Sequence, residues 1–81
     1  MRETSGSAGY LAALGRALRR HREKLGLSQE QFAFETELDR TYVSGIERGV
    51  RNPTVATLLR LTRALGTTPA GLLRSAERSR K

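Results

Sequence analysis

The sequence contains no cysteine and no tryptophan, and only one histidine, one aspartate and two prolines. Without cysteine there is no disulfide framework and no thiolate metal site. A lone histidine and a lone aspartate leave no triad, no paired-carboxylate site and no phosphate-cradling glycine loop from which to build an enzyme. No catalytic residue, metal or cofactor is therefore expected. Aromatic residues are scarce, with two Tyr and two Phe, too few for the stacking platforms that RNA-binding modules usually offer. No apolar run is long enough for a membrane span or a signal peptide. A small domain without bridges suits the cytoplasm.

What is present is positive charge. Fifteen Lys and Arg face eight Asp and Glu, a formal net charge of +7 over 81 residues. Such an excess suits a polyanionic partner, although a basic surface also serves solubility. Arg outnumbers Lys thirteen to two. Arg favours bidentate contacts to phosphate and guanine, and GC-rich codon usage gives the same bias. The length is that of one domain, small enough to gain from dimerisation.

Residues 27–49, LSQEQFAFETELDRTYVSGIERG, organise the chain. Ser28 is placed to cap a helix, and Gln31 to complete a capping box, with Leu27 and Phe32 as a hydrophobic staple. Asp39 is placed to cap a second helix, with Leu38 and Val43 as its staple, and Gly49 ends it. Two short capped helices joined by Thr36, Glu37 and Leu38 make a helix-turn-helix.

Around this motif the spacing predicts three more helices. The first spans about residues 10–25, with Leu11, Leu14, Leu18 and Leu25 at helical spacing and Gly26 after it. Another follows Pro53 and Thr54, with Leu58, Leu61 and Leu65 inward and Gly66 at its end. The last opens at Thr68 and Pro69 with Leu72 inward. The fold class is therefore all-α, a compact five-helix bundle. Residues 1–9 read as a mobile arm whose only basic side chain is Arg2, residues 10–75 as the domain, and residues 76–81 as a basic, fraying tail. Leu59 and Leu73 exceed one core stripe and are candidates for a subunit contact, the plainer reading being exposed leucine. His21 falls on the apolar stripe and reads as a half-buried imidazole with a satisfied nitrogen rather than a ligand.

The order Ser28-Gln29-Glu30, Phe32-Ala33, Arg40-Thr41-Tyr42-Val43-Ser44, Ile46-Glu47-Arg48-Gly49 and Arg51-Asn52-Pro53-Thr54 resembles the lambda-repressor-like, Cro-type helix-turn-helix (XRE) family. The likeness covers roughly residues 14–73. LDRTYVSGIERG looks especially like the controller proteins of restriction-modification systems. The resemblance implies that the second motif helix enters the major groove of duplex DNA. There Arg40, Thr41, Tyr42 and Ser44 would read bases, Arg40 by donating to guanine N7 and O6, and Gly45 would lie exposed among them. Gln29, Arg48, Arg51 and Asn52 would contact the backbone. Arg22 matches a family arginine that pairs with the residue standing here as Glu47. A carboxylate on an inward face requires such a partner.

The sequence departs from the family pattern twice. Glu37 stands where a glycine with positive φ is usual. Gly71 stands where an acid often completes the last cap. The resemblance implies a dimeric regulator on a palindromic operator, located with the nucleoid and responding to its own concentration rather than to a small ligand. The other class kept in view is an antitoxin, whose main task would be to neutralise a protein partner.

Overall fold

The computed structural model describes residues 3–79, with side chains described from Ala8 onward. It holds five helices: α1 (Glu3–Lys24), α2 (Gln29–Thr36), α3 (Arg40–Glu47), α4 (Val55–Leu65) and α5 (Pro69–Ser79). No strand occurs among the described residues.

The caps arise from local chemistry. Ser28 Oγ accepts from Gln31 N–H at 3.0 Å, and Gln31 Oε1 accepts from Ser28 N–H at 2.8 Å. This reciprocal box satisfies two donors that have no partner inside the helix. Asp39 caps α3 by accepting from Thr41 N–H at 2.8 Å. Thr54 Oγ1 caps α4 at Thr57 N–H, and Thr68 Oγ1 accepts from Gly71 N–H. Gly71 thus keeps its cap through the backbone, without an acidic side chain.

One core unites the helices. Leu14 and Leu18 from α1, Phe32 from α2, Val43 and Ile46 from α3, Leu61 from α4 and Leu72 from α5 are all buried together. Each such side chain contributes about 1.5–3 kcal/mol through removal from water. Two glycines let α1 lie against the end of α3. A Cβ on Gly15 would stand 2.4 Å from the carbonyl oxygens of both Ile46 and Glu47, and one on Gly49 would stand 2.8 Å from Ala12 Cα.

The ends differ from expectation. Residues 3–9, expected as a mobile arm, form the first turns of α1. Extending a nucleated helix costs far less than starting one, and the two glycines of this stretch do not stop it. Arg2 lies outside the described residues. The expected tail is also helical to Ser79, because Ala76 is fully buried and Glu77 accepts from the Tyr10 hydroxyl at 2.9 Å. Leu25, expected on the inward stripe, is 54% exposed, since α1 has ended at Lys24.

Glu37 has φ 59° and ψ 38°, the left-handed conformation anticipated for the turn. The αL geometry lets Leu38 N–H donate to Ala33 O at 3.0 Å, the backbone pattern that closes a helix C-terminus. Arg60 Nη1 reaches the carbonyl oxygens of Thr36 and Glu37 at 3.5 and 3.4 Å. It sets a cation at the negative end of α2. Glu37→Gly is expected to raise unfolding free energy by about 1 kcal/mol, since relief of the left-handed penalty exceeds the added entropy of the unfolded chain. Urea denaturation measures it. A loss of stability would mean that the Glu37 side chain contributes more than its backbone strain costs.

Candidate nucleic-acid interface

α3 buries one face and presents the other. Val43, Ile46 and Glu47 point inward. Arg40 and Thr41 are exposed, and Tyr42 and Ser44 are half-buried. Arg40 makes no hydrogen bond or ion pair to any described residue, and its guanidinium stands at the first turn of the helix. The Thr41 hydroxyl donates to Asp39 Oδ1, so its lone pairs and methyl remain for a ligand while its proton is engaged. That hydroxyl, followed by the Thr41 N–H, holds the Asp39 carboxyl below the usual carboxylate range. The cap is accordingly strongest above that range and weakens as pH falls through the lowered value.

Gly45 is a correction. It was expected to be exposed beside the base-reading residues, but it is buried, with the Arg51 side chain lying over it. The loop after α3 folds back: Gly49 N–H donates to Ile46 O at 3.0 Å and Val50 N–H to Gly45 O at 2.9 Å. This return brings the Arg51 guanidinium carbon 5.8 Å from the Tyr42 ring centroid. Such a cation–π contact contributes about 0.5–1 kcal/mol at an exposed site. Arg48 Nε donates to Ser44 Oγ at 3.3 Å. Tyr42 and Ser44, expected at bases, therefore each meet an arginine expected at the backbone.

Gln29 is more constrained than its expected role required. Its Nε2 donates to Glu47 Oε1 at 3.0 Å. Glu47 is the centre of a buried network, accepting from Arg22 Nε at 2.7 Å and from Arg22 Nη2 at 3.0 Å. Arg22 Nη1 donates in turn to Leu27 O at 2.7 Å. The hydrogen bond to Glu47 raises the Arg22 pKa, outweighing the opposite effect of burial. The network joins α1, the loop before α2, the start of α2 and the end of α3, so it fixes the angle at which α3 is presented.

Asn52 is exposed just ahead of the buried Pro53. Among the described residues the only ion pairs are Arg19–Glu23 and Arg22–Glu47. Arg40, Arg48 and Arg51 thus leave positive charge on and beside α3. Leu59 is 45% exposed on α4, one turn from the exposed Val55, whereas Leu73 is half-buried and packs on the core. His21 is half-buried at the α1 surface, and burial first, then Lys24 and Arg20, lower its pKa. It is half-buried as expected, and no protein hydrogen bond to its ring occurs among the described residues. Sequence reasoning missed Gly15 and the seating of Arg51. A glycine inside a leucine-patterned helix was the available signal for the first.

The fold and the presented third helix define a helix-turn-helix domain. The chain belongs to the helix-turn-helix family, whose model matches residues 18–72. Within that family it is similar to Control protein C.BamHI of Bacillus amyloliquefaciens, 48% identical over 50 residues, which are 62% of this chain and 62% of that one. The match thus spans less than two thirds of that relative. Among solved structures, the restriction-modification controller protein C.AhdI from Aeromonas hydrophila is 47% identical with a TM-score of 0.75. The match covers 76% of this chain and 94% of that one. The controller protein C.Esp1396I, solved as a tetramer with its natural 35 base-pair operator, is 30% identical with a TM-score of 0.77. The match covers 88% of this chain and 93% of that one.

Proposed function

We propose that this protein is a sequence-specific, double-stranded-DNA-binding transcriptional regulator, a dimeric controller of a restriction-modification operon. The observation that carries the reading is Arg40, exposed and unpaired at the first turn of a helix whose opposite face is locked into the core. Its fork matches the two acceptors of a guanine edge. Thr41, Tyr42 and Ser44 complete the base-reading set. Arg48, Arg51 and Asn52 lie beside α3, and Gln29 at the start of α2, where each would meet phosphate. The relatives support this: they are control proteins, and one was crystallised on operator DNA. They do not favour the antitoxin reading.

The reading assigns no catalytic step and no cofactor to any residue. It places the protein in the cytoplasm at the nucleoid, where its own concentration sets operator occupancy. Selection of bound sites from random duplex DNA should recover one palindromic sequence, with half-sites about one helical turn, roughly 34 Å, apart. Recovery of unrelated sequences would defeat the proposal.

Dimerisation is assigned to the outer sides of α4 and α5, through Leu59 and Leu73. Because Leu73 also packs on the core, Leu59→Asp is the cleaner variant. It should shift sedimentation from dimer to monomer at unchanged helical content, and reduce operator affinity at least tenfold through loss of the second half-site. An unchanged dimer would place the interface elsewhere.

A further inference from the structure

The outer side of α3 contains one position with no side chain, and that position is not open to solvent. Gly45 is buried, and its neighbour is the stem of Arg51. A Cβ built on Gly45 would stand 2.5 Å from Arg51 Cγ, 3.5 Å from Arg51 Cβ and 3.6 Å from Arg51 Cδ. The first distance is far inside van der Waals contact, so the present course of Arg51 requires glycine. From there the side chain extends to Tyr42, whose ring lies 5.8 Å from the guanidinium carbon. Tyr42 and Gly45 are three residues apart, one helical turn along the same face. Arg51 is also close enough to Asp39, the α3 cap, to contribute to the lowering of its carboxyl. The arginine of the following loop therefore runs back along the recognition helix.

We propose that Gly45 is a positioning residue for DNA binding: its missing side chain seats Arg51 along α3, so that this guanidinium meets DNA phosphate from the same face that presents Arg40. The proposal rests on the DNA-binding reading above and adds the residue that aims one of its cations. Tyr42 holds the seated arginine with its ring, a role separate from any contact made by its hydroxyl. Arg51 is exposed, so it can leave the seat by rotation of its side chain without disturbing the core. Gly45 has no positive φ, and alanine favours helix more than glycine does. Gly45→Ala should therefore spare the fold and remove the aim.

The test uses Gly45→Ala, Arg51→Ala and the double variant, with affinity for the selected operator and for a scrambled duplex measured over a salt series. Gly45→Ala should melt no lower than the parent. It should bind both duplexes roughly tenfold more weakly and lower the salt slope by about one unit, as Arg51→Ala does. The double variant should lose no more than Arg51→Ala alone, because the two act through one contact. The proposal is overturned if Gly45→Ala binds as the parent does, if the two losses add in full, or if Gly45→Ala melts well below the parent. If Arg51→Ala itself binds both duplexes at parent affinity, the DNA contact assigned to Arg51 is wrong, whatever happens at Gly45.

Discussion

Glu47→Ala should lose about 3–5 kcal/mol of stability, enough to leave a domain of this size close to unfolding at room temperature. The side chains of Arg22 and Glu47 are only 9% and 3% exposed. The carboxylate accepts two hydrogen bonds from Arg22 and one from Gln29. Its removal leaves a buried guanidinium whose remaining partner is the Leu27 carbonyl, together with an unpaired Gln29 amide and a small cavity. A charge without a partner in that setting costs far more than the pair itself contributes. The combined change Arg22→Met with Glu47→Leu should cost much less, since it removes both charges and refills the volume. Denaturant unfolding of the two single variants and the double variant measures the coupling. Equal losses for Glu47→Ala and the double variant would show that the two residues do not stabilise the fold as a pair.

The same network shows where the sequence was readable. Arg22 and Glu47 were paired through family likeness and through the cost of a carboxylate facing inward. The caps at Ser28, Asp39, Thr54 and Thr68 were readable because each joins residues two or three apart, and such contacts depend on little else. The turn at Glu37 was readable because the left-handed position was identified by the residue that usually occupies it.

What was missed depends on whatever packs from across the fold. Nothing local in Gly15 states that the backbone of α3 lies 2.4 Å from its absent Cβ. Nothing near Ala76 states that it is buried in the core, so the sequence alone leaves the last residues as a tail. Gly45 falls on the exposed side of α3 taken alone, and only the loop that returns over it buries it. Gln29 was read as facing a ligand because its bond to Glu47 crosses eighteen positions. These contacts reduce the set of side chains wholly free for DNA, and Arg40 is the clearest member of what remains.

Arg40→Ala should cost roughly 1–3 kcal/mol on the specific site, and relax the preference at one base pair in each half-site. The side chain makes no hydrogen bond or ion pair within the described fold, so its removal should leave stability within about 0.5 kcal/mol of the parent, as for other surface changes. An arginine that reads guanine edges discriminates, whereas one that neutralises phosphate does not. The deciding measurement is the affinity of the parent and of Arg40→Ala for the selected operator and for a scrambled duplex, over a series of salt concentrations. The parent should prefer the operator by at least about a thousandfold at physiological salt. Arg40→Ala should lose affinity mainly on the operator, narrowing that ratio with little change on the scrambled duplex. An equal loss on both duplexes would mean that Arg40 contacts backbone and that α3 lies in a different register. A parent that binds the two duplexes alike would contradict sequence-specific DNA binding itself.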